Sequence, residues 1–194
     1  MIKLAFKSVK FLLLVAVISA AGYFYVLPKL ESAKQEKIET EKQIQTNEYL
    51  FVTKVIDGDT FKMSNGEKVR LTGIDTPEKF ESDKLDRQSG QSGRDKETIK
   101  KLGEASSEYV RKLVEGKKVT MVKDQGYDDR DKYGRLLRYI YLEDGTFVNA
   151  KILEDGYANV YYSKQISKMD EFKKLERDAR ENKRGLWGEV DGLK

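Results

Sequence analysis

The sequence predicts an α+β fold: a five-stranded barrel of the OB type with about three α-helices. Short β-type runs are separated by Asn-Gly and Asp-Gly turns, and helical stripes follow the third run and close the chain. The length of 194 residues suits one globular domain with additional segments.

Each element has its own signal. Residues 49–56 (YLFVTKVI), 60–64 (TFKMS) and 67–74 (EKVRLTGI) are rich in β-branched and aromatic side chains, and Asn65-Gly66 marks a hairpin between the last two. Residues 79–98 are polar, with Ser89-Gly90 and Ser92-Gly93, and predict a mobile loop. Ile99, Leu102, Tyr109 and Leu113 mark one face of an amphipathic helix. Residues 117–123 and 136–142 are strand candidates, and Asp144-Gly145 is a second hairpin turn. A short helix over 149–155 ends at Gly156, and a further strand covers 158–162. Ile166, Met169, Phe172 and Ala179 form the stripe of a last helix, stopped near Gly185, after which Leu186-Trp187 pins the C-terminus to the core.

Two segments precede this domain. Residues 1–28 read as a signal-anchor or transmembrane segment around the uncharged run 11–27, FLLLVAVISAAGYFYVL. Lys3, Lys7 and Lys10 precede the run, which places the N-terminus inside and the rest of the chain outside. The rival reading is a secretory signal cleaved near Ala21; the apolar stretch beyond that point, through Tyr23 and Tyr25, favours a retained anchor. Residues 29–48 are charged and read as a helical stalk or spacer, leaving 49–194 as the domain.

Composition narrows the chemistry. There is no cysteine and no histidine, which removes disulfides, thiolate nucleophiles and the commonest general base and transition-metal ligand. Acid–base work must fall to Asp, Glu, Lys, Tyr or water, and a bound metal must take oxygen ligands. The net charge of +4 is no sign of nucleic-acid binding, because four lysines in the first 30 residues account for the whole excess.

Three stretches concentrate charge at strand ends. Asp57-Gly58-Asp59-Thr60 alone is an ordinary tight turn. Arg70 and Asp75 are read as sharing a strand that ends at Pro77, with Glu78 just beyond. Asp131-Lys132-Tyr133-Gly134-Arg135 alone is a charged turn. In combination they suggest more. Asp59 and Asp75, on strands joined through a hairpin, can meet at one rim of a barrel, where two carboxylates and a carbonyl make a sparse site for a hard cation. Arg70 and Arg135 have the planar fork that suits a phosphate, and a nearby carboxylate can serve as base without any histidine.

The segments IDGDT, RLTGIDTPE and DKYGR, in that order, resemble the signatures of the staphylococcal nuclease (thermonuclease) family. The similarity runs from about Tyr49 to Glu189 and includes GYANVYY and the terminal GLW. The resemblance implies a calcium-dependent hydrolase that cuts DNA and RNA, preferentially in single-stranded or open regions, to leave 3′-phosphates. It implies that Asp59, Asp75 and the Thr76 carbonyl hold Ca2+, that Arg70 and Arg135 clamp the phosphate, and that Glu78 is the base or water positioner. Lys132 and Tyr133 would contact a neighbouring phosphate, and Tyr162 would pack near a base. The loop between Glu78 and Glu104 is longer than in the type enzyme, and the Tyr161-Tyr162 pair departs from its aromatic spacing. No obligate protein partner is evident. The rival function is a non-catalytic surface module that captures DNA; the full acid–arginine set argues against it.

Overall fold

The computed structural model describes residues 28–32, 34–35, 38, 50–162 and 166–188. The chain divides into two units, residues 1–46 and 47–194. In the first, the described residues from 28 to 38 are helical and exposed. The expected membrane run at 11–27 and residues 39–48 of the expected stalk lie outside the described residues. Among the described residues no helix is long and apolar enough to cross a membrane.

The described residues of the second unit form seven strands: β1 (Leu50–Asp57), β2 (Thr60–Met63), β3 (Lys68–Leu71), β4 (Ile74–Asp75), β5 (Lys118–Val122), β6 (Leu136–Leu142) and β7 (Asn159–Val160). Five close into a barrel in the order β1-β2-β3-β6-β5, as expected for the OB type. All contacts are antiparallel except β3–β6, and closure leaves no free edge in the barrel. Val52, Phe61, Val69, Leu71 and Ile140 are buried in its interior. The short pair β4–β7 stands apart from the barrel.

Four helices pack around this frame: α1 (Asp83–Ser92), α2 (Lys96–Val114), α3 (Val148–Glu154) and α4 (Met169–Glu181), followed by a 3-10 turn at Gly185–Trp187. The segment expected to be a loop over 79–98 is largely helix α1. Its polar, Ser-Gly-rich sequence hides local signals that suffice. Ser82 caps the start, its Oγ accepting from Leu85 N at 3.2 Å, and Asp83 and Asp86 sit in the first turn. Gly93 closes the end at φ +69°, and the fully buried Leu85 fixes the helix to the body.

In α2 the buried stripe is Ile99, Leu102, Gly103, Ser106, Val110 and Val114. The expected face is therefore right at its start and one residue off later, where Tyr109 and Leu113 are only half-buried. The small residues of the stripe let the helix approach the loops at the barrel rim. A Cβ on Gly103 would stand 2.7 Å from the Pro77 carbonyl oxygen, and one on Gly58 would overlap Ser106 Oγ and Thr76. Buried Asn149 at the start of α3 ties helix to sheet. Its side chain accepts from Ile140 N at 3.0 Å and donates to Thr72 O at 2.9 Å.

Candidate active site

A cleft of about 1010 Å³ opens where the β1–β2 turn, the β3–β4 segment, α1 and the loop before β6 meet. Asp59 is at its base. The β1–β2 turn leaves it 2% exposed, its Oδ2 accepting from Thr76 N at 3.0 Å and Thr76 Oγ1 at 3.1 Å. Arg70 and Asp75 do not share a strand as expected. The chain turns at Gly73, φ +79°, so Arg70 belongs to β3 and Asp75 to β4. No side chain fits at that turn, because a Cβ on Gly73 would overlap Ile166 and Phe172. The break folds Asp75 back over Arg70. The guanidinium then bridges the two acids, Nη1 ion-paired with Asp59 and Nη2 donating to Asp75 Oδ1 at 2.8 Å.

Arg135 approaches from the start of the β6 side. Asp131 orients it, accepting from Arg135 Nε at 2.7 Å and from Arg135 N at 3.0 Å. Arg135 Nη1 donates to Thr60 Oγ1 at 3.1 Å, and Thr60 Oγ1 donates to Asp59 Oδ1 at 3.0 Å. A single hydroxyl thus links the second arginine to the buried acid. Glu78 lies just past Pro77, its Oε1 accepting from Lys79 N at 2.9 Å and Phe80 N at 3.1 Å. Tyr133 and Lys132 stand at the lip; Tyr133 is 70% exposed, with the Lys132 ammonium 5.0 Å from its ring.

The cleft thus gathers Asp59, Arg70, Asp75, Glu78, Lys132, Tyr133 and Arg135. Tyr162 is not among its walls: its hydroxyl donates to Glu176 Oε2 at 2.9 Å on α4. Tyr161 stands there instead, its ring 5.9 Å from the Arg70 guanidinium. The pair lies just past the end of β7, and the bond to Glu176 holds Tyr162 toward α4 while Tyr161 faces the cleft.

Helix α1 supplies residues that nothing in the linear pattern marked. Lys84 Nζ lies 3.2 Å from Asp75 Oδ1 and donates to the Thr76 carbonyl at 3.1 Å. Gln88, one turn on, donates to the same carbonyl at 3.3 Å and accepts from Glu78 N at 2.8 Å. Their i, i+4 spacing is a signal only once the segment is known to be helical.

Charge at the base is strongly perturbed. Burial pushes the Asp57 carboxyl up to about 7, helped by the neighbouring Asp59 charge. Burial would do the same to Asp59, but Arg70 and then Lys84 outweigh it and hold Asp59 well below the usual carboxylate range. Burial opposes the Arg70 charge; Asp59 and Asp75 outweigh that and hold it more firmly protonated. Among the described residues no group of three or more carboxylates is placed to hold a metal ion. The available set is two carboxylates and the Thr76 carbonyl, an oxygen-only set already facing positive side chains, and it suits a hard cation completed by water.

The model of the family described as "Staphylococcal nuclease homologue" matches residues 68–189. An uncharacterized protein of Methanocaldococcus jannaschii is 37% identical over 158 residues, covering 74% of this chain and 74% of its own length. An uncharacterized endonuclease of Escherichia coli is 34% identical over 143 residues, covering 72% and 77%. The prophage-derived endonuclease YokF of Bacillus subtilis is 34% identical over 139 residues, 69% of this chain and 42% of its own.

Proposed function

The chain belongs to the staphylococcal nuclease family and is a phosphodiester-cleaving hydrolase, and we propose that it cuts DNA and RNA with calcium to leave 3′-phosphate ends. The observation that carries this reading is the convergence of Arg70 and Arg135 on one hydroxyl-linked acid, beside an oxygen-only donor set.

Asp59, Asp75 and the Thr76 carbonyl would hold the cation, which when bound supplies positive charge to the phosphate and acidity to water. Arg70, freed from the two carboxylates, turns its fork to the non-bridging oxygens, where charge builds as water attacks phosphorus. Arg135, held in orientation by Asp131, takes the same charge from a second direction. Glu78 accepts the proton of the attacking water. Both backbone bonds to its carboxylate fall on Oε1, so Oε2 is the oxygen open to that proton. The bond from phosphorus to the 5′-oxygen breaks, and the 3′-oxygen keeps the phosphate. Tyr161 at the cleft and Tyr133 at its lip offer rings on which bases of open strands can stack.

The test is cleavage of single-stranded DNA, duplex DNA and RNA by the full chain with calcium, magnesium or chelator, repeated with Glu78→Gln and Arg135→Ala. Calcium-dependent cutting to 3′-phosphates that collapses in both variants supports the reading. Binding without cutting under every condition overturns it in favour of a DNA-capture module.

We propose further that residues 11–27 hold the chain in the membrane with the domain outside; the uncharged run behind Lys3, Lys7 and Lys10 supports this. A full-length mass in the membrane fraction is the expected result. A soluble product starting near Gly22 would replace anchoring with secretion.

A further inference from the structure

We infer that Lys84 is an internal counter-cation of the metal site, competing with the divalent ion for its ligands and thereby setting how tightly that ion binds. The inference rests on the calcium reading above and concerns a residue that reading does not use.

The ammonium of Lys84 is 3.1 Å from the Thr76 carbonyl oxygen and 3.2 Å from Asp75 Oδ1, two of the three groups expected to ligate calcium. Arg70 pairs with the third, Asp59, and with Asp75 as well. Lys84 is half-buried, its side chain 30% exposed. It sits in the first turn of α1, beside the Ser82 cap and the fully buried Leu85, so the helix itself delivers the amine to the site. Gln88, on the same face of α1, donates to the Thr76 carbonyl as well, which leaves that oxygen with two protein donors and no spare direction.

A divalent ion binding these oxygens at about 2.3–2.6 Å would come within a few ångströms of the ammonium. Charges of the same sign at that distance in a partly buried site repel strongly. The two cations are therefore alternatives. Without metal, Lys84 shares with Arg70 the neutralisation of Asp75 and helps keep the acidic base from repelling itself. With metal, Lys84 must leave, and the work of displacing it weakens the observed affinity.

The experiment is calorimetric titration of calcium into the full chain and into Lys84→Met, Lys84→Gln and Lys84→Arg, with melting temperature measured in chelator and in saturating calcium. Methionine and glutamine keep the stem and remove the charge. Both should tighten calcium binding by about tenfold or more, with a larger calcium-induced rise in melting temperature. Arginine, which keeps the charge, should stay close to wild type. The unmodified chain provides an independent readout by mass spectrometry of lysine acetylation: Lys84 should be protected in chelator and labelled faster once calcium is saturating.

Unchanged or weaker calcium binding in Lys84→Met and Lys84→Gln overturns the inference, as does Lys84 labelling that is slowed or unaffected by calcium. Those results leave the calcium reading intact if calcium still binds. If calcium binds neither the wild type nor any variant, the calcium reading fails first and this inference falls with it.

Discussion

Replacing Gly103 with alanine separates what helix propensity predicts from what packing permits. In an exposed helix interior, Gly→Ala stabilises by about 1 kcal/mol. At Gly103 the added Cβ would stand 2.7 Å from Pro77 O and 2.8 Å from Glu78 C and O, where ordinary contact begins at 3.4 Å. The new overlap is about 0.6–0.7 Å, and all three atoms are backbone, which no rotamer change can relieve. Overpacking of this kind costs roughly 1–3 kcal/mol. Set against the propensity gain, the expected result is a net loss of about 0–2 kcal/mol, in place of the gain that an exposed site would show. The segment that must yield carries the Thr76 carbonyl on one side and Glu78 on the other. A displacement on the order of 1 Å at catalytic groups costs about a hundredfold, so kcat should fall roughly 10- to 100-fold. Urea unfolding gives the first quantity and nuclease turnover the second. Gly90→Ala is the control: it lies in α1 with nothing within 4 Å of its Cβ, and should gain about 0.5–1 kcal/mol with unchanged kcat. A Gly103→Ala protein as stable as wild type with full turnover would refute the claim that close approach of α2 positions the site.

Other outcomes follow from the same geometry. Asp131→Asn should cost about 1–2 kcal/mol at pH 7 and lower kcat by releasing Arg135. Burial would raise the Asp131 carboxyl, but Arg135 outweighs it and holds it below its ordinary 3.8. The Asp131 contribution is therefore full above that value and lost as pH falls through the native pKa, so urea midpoints of variant and wild type should converge at acid pH. Asn149→Leu leaves Ile140 N and Thr72 O buried without their partner, and should lower unfolding free energy by about 2–4 kcal/mol in urea titrations. Tyr161→Ala should weaken binding of a single-stranded oligonucleotide roughly 5- to 100-fold in a fluorescence titration, whereas Tyr162→Ala should change it little; the reverse order would return the base contact to Tyr162.

Elements with strong periodicity or turn chemistry were legible in the chain. The run 136–142 is β6 to the residue, and the hairpin at Asn65-Gly66 joins β2 to β3. Helix α1 was not legible, because Ser89, Gly90 and Ser92 suggest coil, while the cap at Ser82 and the burial of Leu85 outweigh them. The grouping of Asp59, Arg70, Asp75, Glu78 and Arg135 was anticipated from three short segments, since strand ends of one barrel converge on one rim. Their partners were not. Thr60 as the link between Arg135 and Asp59, and Asp131 as the orienter of Arg135, depend on side-chain directions that spacing does not encode.

Local alternation and turn residues pointed, from sequence alone, to a small closed barrel, and the resemblance of three short motifs to a known family pointed to a nuclease. These features act over a few residues, and the chain carries them wherever it goes. Only the tertiary structure decided which tyrosine faces the cleft, that Gly73 breaks the strand between Arg70 and Asp75, and that Lys84 and Gln88 reach the Thr76 carbonyl. Those contacts join residues that only the packing of α1 and α2 against the barrel rim brings together. Burial there makes each charge depend on its neighbours and not on its place in the sequence.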